Sequence, residues 1–190
     1  MRRTFWDNTL VAAGTSGARM ERFRQVLAYD QALLLGFRRW QAPHLTRVMQ
    51  ALTRVGDAST WTAASLLLMA VGGPARRIGV LIGTSALASA LCAQLLKRTW
   101  RRPRPSAHIN AFTSLVPDPD AFSFPSGHTA SAFAVATTLV GQGEWLSPFY
   151  FSLAFGIGLS RVYLGAHYPF DVMVGAGLGV SVGTLTRAVL

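Results

Sequence analysis

Three long stretches of this sequence carry almost no charge, and this feature limits the folds available to the chain. Only Arg76 and Arg77 are charged between positions 58 and 96, only Glu144 between 121 and 160, and no residue between 172 and 186. A helix on the surface of a soluble domain needs a polar face, so uncharged stretches of this length favour contact with lipid. The sequence therefore predicts a membrane protein.

The composition agrees with a membrane protein and excludes several other classes. Of the 190 residues 51% are hydrophobic, which is too many for a disordered chain. The single cysteine, Cys92, excludes a disulfide scaffold and a cysteine-based zinc site. The net charge of +10 would suit a nucleic-acid-binding domain. The long apolar segments argue against that class, and we predict no nucleic-acid partner.

Five apolar segments are separated by turn residues and by one polar insert, residues 97–125, that contains five prolines. The segments are short against the roughly 20 residues that a membrane-spanning helix usually needs. They are rich in small residues, which allow helices to pack closely in lipid. We expect an all-α, polytopic membrane helix bundle with five or six transmembrane helices. The segments cover residues 58–73, 78–96, 126–143, 146–161 and 170–188.

The first 55 residues differ from the rest of the chain. Residues 1–20 have the composition of a flexible arm and lack the apolar core of a cleaved signal peptide. Residues 21–55 predict an amphipathic helix, which either lies on the membrane surface or packs on the other helices. We therefore divide the chain into an N-terminal segment, 1–55, and a transmembrane domain, 56–190. The apolar stripe comprises Leu45, Val48, Met49, Leu52 and Val55, and Pro43 suits the first turn.

The first of three polar clusters, residues 97–105, places five cations within eight residues directly after an apolar segment. Such a cluster is typical of a helix end held at lipid head groups. It is equally typical of an anion site, because arginine binds phosphate oxygens through two parallel hydrogen bonds and lysine adds a point charge. The cluster alone leaves both interpretations open.

The second cluster, residues 124–128, opens the third apolar segment. Ser126 is a favoured N-cap, and Gly127 allows a ligand to approach the backbone. The free N–H groups at a helix N-terminus bind anions, and His128 in the first turn can exchange a proton. A capped helix start with a histidine at the membrane interface explains the same residues.

The third cluster, residues 160–171, joins the fourth and fifth apolar segments. Arg161 and His167 flank a tight loop, and Pro169 suits the first position of the last helix. Asp171 then lies in the first turn, where its carboxylate can fold back toward His167 and leave the other ring nitrogen a better nucleophile. An aspartate at this position also interacts favourably with the helix dipole alone.

The number of membrane crossings predicts that the three clusters lie at the same face of the membrane. The second segment ends at Lys97 and the third starts from the same face at Ser126. The fourth segment returns to that face near Arg161, and the fifth starts there after His167. The resulting pocket combines cations, two histidines, an aspartate and a helix N-terminus, and it suits a phosphate-like anion.

These residues resemble the type 2 phosphatidic acid phosphatase (PAP2) family. Residues 97–105 match its K-x6-RP motif, residues 125–128 match PSGH, and residues 160–171 match SR-x5-H-x3-D. The order and spacings agree with the family. The resemblance covers 97–171 by motif and 58–190 by hydropathy, so that 56–190 becomes a PAP2-like domain and 1–55 lies outside it.

The resemblance implies a metal-independent phosphatase that needs no cofactor and works in two steps. His167 would attack phosphorus to form a phosphohistidine, Asp171 would orient His167, and His128 would protonate the leaving oxygen. The substrate would be a lipid phosphate: a polyprenyl diphosphate, phosphatidylglycerol phosphate, phosphatidic acid or a polyprenyl-phosphosugar. The expected phosphate-binding residues are Lys97, Arg104, Ser126, Gly127 and Arg161.

Two other functions share these motifs, and the charge distribution predicts an orientation. Vanadium haloperoxidases resemble the same residues but are soluble, and a non-catalytic relative would be expected to lose motif residues. The arginine-rich N-terminus lies on the active-site face in a five-span topology, so the positive-inside rule predicts a cytoplasmic site in a prokaryotic plasma membrane. If residues 21–42 cross or re-enter the membrane instead, the N-terminus and the site lie on opposite faces. We expect Arg98, Arg101 and Arg102 to face lipid head groups or a second substrate phosphate. We expect His44 at the interface or packed, and His108 near the site entrance.

Overall fold

The computed structural model describes residues 17–118, 120–142 and 144–190, and its regular elements in these ranges are helices. The only strand-like contact among them is an isolated bridge between Pro103 and Phe122. The prediction of an all-α fold is confirmed. The α-helices are α1 (Gly17–Phe37), α2 (Pro43–Val55), α3 (Ala58–Val71), α4 (Gly73–Trp100), α5 (Pro105–His108), α6 (Gly127–Leu139), α7 (Ser147–Tyr163) and α8 (Pro169–Val189), with 3-10 turns at 38–40, 140–142 and 144–146.

Each of the five predicted apolar segments forms one long helix, and local backbone chemistry explains the breaks. Gly72 and Gly73 have φ angles of +79° and +54°, which side-chain-bearing residues rarely adopt, and they separate α3 from α4. Proline lies in the first turn of α4, α7 and α8, where no backbone donor is lost. Helix α4 continues beyond the apolar segment through Lys97 and ends at Trp100, and its C-cap residue Arg101 has a left-handed φ of 43°.

The N-terminal segment differs in part from its prediction. Residues 1–16 of the expected arm lie outside the described residues, but 17–20 begin α1, so the prediction of an irregular arm is wrong for these four positions. The expected amphipathic region forms two helices, α1 and α2. Within the apolar stripe of α2, Met49 is buried whereas Val48 is 52% exposed. Helix α2 packs along α7 through Leu45, Leu52 and Val55.

Helix α6 lies at the centre of the bundle and contacts α4, α7 and α8. Small residues allow the closest of these contacts, as expected for helices that pack in lipid. A Cβ atom placed on Gly175 would lie 2.6 Å from the Ser126 carbonyl oxygen, and one placed on Gly183 would lie 2.6 Å from the Ala134 carbonyl oxygen. This contact brings the start of α8 beside the start of α6.

The outer surface of the bundle is apolar. Helices α4, with 28 residues, and α8, with 21, are long and apolar enough to cross a membrane, and α3 is a shorter apolar helix. Large apolar side chains point outward from the four outer bundle helices, α3, α4, α7 and α8, a pattern that suits lipid better than water. Examples are Leu66, Leu67, Leu87, Leu91, Leu95, Phe149, Phe155, Met173 and Leu185.

The three polar clusters meet at one end of the bundle. The end of α4 contacts the insert that precedes α6, and the start of α6 contacts the start of α8. At the opposite end, the Arg77 side chain donates a hydrogen bond of 3.4 Å to the carbonyl oxygen of Leu190. The fold therefore separates a polar, charged end from the apolar shaft.

Candidate active site

A cavity of about 190 Å³ lies where the three clusters meet. Its wall is formed by residues of all three clusters together with small residues of α3 and α4. Ser126, Arg161 and Asp171, also expected at the site, are buried behind or beside this wall. The expected site residues that line the cavity are Lys97, Arg104, Gly127, His128 and His167.

His167 is held in the loop between α7 and α8 by backbone contacts. Its backbone N–H donates to the Arg161 carbonyl oxygen at 3.2 Å, and Arg104 Nη1 donates to the Ala166 carbonyl oxygen at 2.9 Å. The side chain is only 1% exposed. Burial, together with the positive charges of Arg161, Arg104 and Lys97, holds the pKa of His167 well below its usual range. The imidazole is therefore neutral at neutral pH and has a free electron pair for attack on an electrophile.

Asp171 lies behind His167 in the first turn of α8. Its Oδ2 is 3.7 Å from His167 Nδ1, which is within ion-pair range but longer than a hydrogen bond. The same oxygen accepts a hydrogen bond of 3.0 Å from the backbone N–H of Tyr168, as in a capping box. The carboxylate is fully buried and is aimed at the imidazole by the geometry of the helix start.

The two cations of the first cluster that line the cavity bind the carboxylate of Asp120. Lys97 Nζ lies 2.6 Å from Asp120 Oδ2, and Arg104 Nη2 donates to Asp120 Oδ1 at 2.8 Å. Burial raises the pKa of Asp120, but the bonds to Lys97 and Arg104 outweigh burial and leave the pKa below its usual value. An anion that binds these two cations competes with Asp120 for them.

We expect Asp120→Asn to strengthen anion binding at the cavity. The amide forms weaker hydrogen bonds than the carboxylate by about 1 kcal/mol, so inorganic phosphate should inhibit the variant at about fivefold lower concentration. The measurement is the competitive inhibition constant of inorganic phosphate. Asp118→Asn is the matched control, because Asp118 lies 3.5 Å from Arg104 and should have a smaller effect. Weaker inhibition of Asp120→Asn would contradict this competition.

Arg161 is buried, and two of its side-chain nitrogens have no hydrogen-bond acceptor among the described residues. Its Nη1 donates to Thr53 Oγ1 of α2 at 2.6 Å, whereas Nε and Nη2 have no hydrogen-bond partner among the described residues. Buried donors are nearly always satisfied in folded proteins, so two unsatisfied donors on one guanidinium mark a place for an acceptor. Arg161 and His128 both line an adjoining cavity of about 340 Å³.

The start of α6 brings the second cluster to the cavity. Ser126 is the N-cap residue, but its side chain makes no capping bond and accepts a hydrogen bond of 2.9 Å from Thr129 Oγ1. A Cβ atom on Gly127 would meet nothing within 4 Å, so the space beside the helix N-terminus is open. His128 Nε2 lies 2.7 Å from Asp57 Oδ1. Because a carboxylate only accepts hydrogen bonds, the Nε2 atom carries the proton of this bond.

The remaining cations and histidines lie elsewhere. Arg98 and Arg101 are exposed, whereas Arg102 is 4% exposed and bound to two carboxylates, so the expectation that Arg102 faces head groups or a second phosphate is wrong. His44 and His108 are exposed and do not line the cavity. No group of three metal-ligating side chains occurs within the described ranges.

The motifs do not predict four polar residues that lie at this end of the bundle. Each contacts an expected site residue or its loop from a distant part of the chain. A usable signal exists in the composition, because the chain has 18 Lys and Arg residues against only 8 Asp and Glu. An acidic residue in such a chain is a candidate partner for a buried arginine or histidine. The four residues are Asp30, Thr53, Asp57 and Asp120.

Comparisons with known proteins agree on one family. The sequence model of the PAP2 superfamily matches residues 78–190. A decaprenylphosphoryl-5-phosphoribose phosphatase of Mycobacterium tuberculosis is 36% identical over 77% of this chain and 81% of its own length. An undecaprenyl-diphosphatase of Sulfolobus acidocaldarius is 29% identical over 73% of this chain and 68% of its own length. The crystal structure of a transmembrane PAP2-type phosphatidylglycerolphosphate phosphatase from Bacillus subtilis superposes with a TM-score of 0.71 at 27% identity, covering 95% of this chain and 90% of that one.

Proposed function

The chain belongs to the PAP2 superfamily of membrane lipid phosphatases, and we propose that it hydrolyses a lipid phosphate or diphosphate through a phosphohistidine on His167. One observation carries this proposal. A neutral, buried imidazole backed by a carboxylate shares a small cavity with a second histidine and two cations. This set supplies a nucleophile, a proton donor and stabilisation of phosphoryl charge.

In the first step His167 attacks phosphorus and the bond from phosphorus to the lipid oxygen breaks. The electron pair of that bond goes to the leaving oxygen, which takes the Nε2 proton from the doubly protonated form of His128 and leaves His128 neutral. For this transfer the leaving oxygen replaces Asp57 as the acceptor of the Nε2 proton. Asp171 stabilises the positive charge that develops on the imidazole of His167.

In the second step water attacks the phosphohistidine. His128 accepts a proton from the water, inorganic phosphate is released, and His167 returns to its neutral form. Throughout, Lys97, Arg104, Arg161, Ser126 and the N–H group of Gly127 at the start of α6 hold the equatorial oxygens, whereas the N–H group of Ser126 donates to the Asp171 carbonyl oxygen. These cations perform the charge neutralisation that a metal ion performs in other phosphoryl-transfer enzymes, so we propose that the reaction needs neither a metal nor a cofactor.

We propose that α3, α4, α6, α7 and α8 cross the membrane, and that α1 and α2 lie at its surface beside the site. Contacts of the N-terminal helices support this arrangement, because Asp30 and Thr53 each bind a residue at the polar end of the bundle. Helices α1 and α2 then share the face of the site. From the arginines of these helices and the positive-inside rule we propose that this face is cytoplasmic. The plasma membrane of a prokaryote is the proposed location.

The substrate class that we propose is a polyprenyl-linked phosphate. The support is the identity of 36% to a phosphatase named for a polyprenyl-linked phosphosugar. We infer that a polyprenyl-phosphosugar phosphate is cleaved faster than polyprenyl diphosphate, phosphatidylglycerol phosphate or phosphatidic acid.

Release of inorganic phosphate from these four lipids, measured with the purified protein in detergent, tests the proposal. We expect turnover in the presence of EDTA, with the polyprenyl-phosphosugar phosphate giving the highest kcat/KM. Loss of turnover in EDTA that returns with added Mg²⁺ would contradict the metal-independent mechanism. Faster turnover of a glycerophospholipid would overturn the substrate class and leave the chemistry intact.

A further inference from the structure

Arg102 is a buried cation that none of the three motifs includes. Its neighbours Arg98 and Arg101 are exposed, whereas its own side chain is almost completely excluded from solvent. Its guanidinium carbon lies 3.9 Å from the centroid of the Tyr168 ring, so it is also enclosed by an aromatic face. A buried charge is retained only where it is paired and hydrogen-bonded, so the partners of Arg102 indicate its role.

The guanidinium of Arg102 bridges two carboxylates from distant parts of the chain. Nη1 donates to Asp171 Oδ1 at 2.7 Å, and Nη2 donates to Asp30 Oδ2 at 2.7 Å. Both distances are typical of charge-assisted hydrogen bonds, which are the strongest in proteins. The rigid fork of arginine therefore fixes the relative positions of Asp30 and Asp171.

Each carboxylate uses its second oxygen to hold the start of α8. Asp171 Oδ2 accepts from the Tyr168 N–H and lies beside the His167 ring, as described above. Asp30 Oδ1 accepts a hydrogen bond of 2.8 Å from the backbone N–H of Phe170. Asp30 thus fixes Arg102, which binds Asp171, and also fixes the residue that precedes Asp171.

The charge of this cluster matters as much as its geometry. Arg102 alone would neutralise Asp171 and weaken its attraction for a positive imidazole. With both carboxylates ionised, two negative charges share one positive charge, and the cluster carries a net charge of −1 beside His167. Burial raises the pKa of Asp30, and its hydrogen bonds to the Phe170 N–H and to Arg102 oppose that rise. The transition state for attack by His167 places positive charge on the ring, so this net charge favours the reaction.

We propose that Asp30 is a positioning residue, which sets the orientation and the effective charge of Asp171 through Arg102. Helix α1 lies outside the region matched by the family model, so an N-terminal helix of this chain would complete the active site. The inference rests on the proposed role of His167 as nucleophile.

Helix α1 provides a matched control for this proposal. Among its described side chains only Asp30 and Leu34 are buried, and Leu34 packs against Phe112, Val162 and Tyr168 through apolar contacts. Leu34→Ala removes an apolar anchor of the helix, whereas Asp30→Asn removes the charge. Any effect of loosening α1 should appear in both variants, and an effect of the charge should appear only in Asp30→Asn.

The experiment compares kcat, KM, the rate of phosphohistidine formation in rapid-quench assays and Tm in detergent. We expect Asp30→Asn to lower kcat and the rate of phosphohistidine formation about tenfold, as alteration of a group behind a catalytic histidine commonly does, with KM changed by less than about twofold. Leu34→Ala should lower Tm while kcat per folded molecule stays at the wild-type value. Equal losses of kcat in the two variants would overturn the proposal.

A double variant tests whether Asp30 acts through Arg102. Asp30→Asn combined with Arg102→Gln should be no slower than Arg102→Gln alone, because the route from Asp30 to Asp171 is already broken. Multiplicative losses would overturn the proposed route. Wild-type phosphohistidine formation in Asp30→Asn would overturn the role of Asp30 alone. Absence of phosphohistidine from the wild-type protein would overturn the proposed mechanism together with this inference.

Discussion

Replacing His167 with alanine is expected to lower phosphate release from a lipid phosphate by at least about 10³-fold, because the variant has no group to form the covalent intermediate. The side chain is buried between a carboxylate and three cations, and its neutral form is the one suited to attack. Substrate binding should change little, because the expected phosphate-binding cations are still present. The measurement is kcat and KM for the best substrate in detergent, together with acid-labile phosphate on the protein.

His108→Ala is the control for the His167 variant. His108 is exposed at the end of α5 and does not line the cavity, and its replacement should leave kcat within about twofold of wild type, as for most exposed positions. The phosphorylated species should appear in wild type and in His108→Ala and be absent from His167→Ala. A phosphohistidine that persists in His167→Ala would assign the nucleophile to another histidine, of which His128 is the nearest candidate in the cavity.

The helices of the bundle could be predicted because the signals that define them are local. Long apolar segments identify the bundle helices, and prolines or paired glycines identify where these helices start and stop. The helix starts at Pro43 and Pro169 agree with the structure. Residues 17–20 were missed because their helix is not apolar, and α1 is held to the bundle through only a few buried side chains.

The residues that line the cavity could be predicted because the motifs lie at helix ends. Lys97 ends an apolar segment and His128 starts another, so the alternation of helices brings them to one face of the bundle without any tertiary information. Their partners could not be predicted in this way. Asp57 contacts a residue 71 positions away, and Asp30 contacts one 72 positions away. Such pairs depend on how α1 and α2 pack, which no local pattern specifies.

The composition of the first cluster led to a wrong prediction for the position of the Arg102 side chain. Five cations in a short segment after an apolar helix suggest one common environment, and head groups are the simplest one. The left-handed residue Arg101 turns the chain at the end of α4, and the next residue points into the protein. The backbone conformation of Arg101 therefore decides whether the side chain of Arg102 contacts lipid head groups or a buried carboxylate.

Arg104→Ala is expected to lower kcat/KM by about 10²- to 10³-fold, the range found when one donor to the charge of a transition state is removed. Arg104 is fully buried, and each of its three side-chain nitrogens donates a hydrogen bond to a different oxygen atom. Nε donates to the Asp120 carbonyl oxygen at 2.6 Å, Nη2 donates to the Asp120 carboxylate, and Nη1 donates to Ala166 at 2.9 Å. The last bond holds the backbone next to His167, so the variant should lose kcat as well as substrate affinity.

Arg104→Lys separates charge from geometry. Lysine keeps the positive charge but cannot reach the carbonyl oxygen of Ala166 and the carboxylate of Asp120 at once, because it lacks the fork of the guanidinium. The variant should therefore recover KM to within about threefold of wild type while kcat stays at least about tenfold low. Lys97→Arg is the matched exchange. It should lower kcat less than Arg104→Lys does, because the Lys97 side chain makes one hydrogen bond among the described residues, to Asp120. Full kcat in Arg104→Lys would show that charge alone is required at this position, and the bond to the His167 loop would then have no part in catalysis.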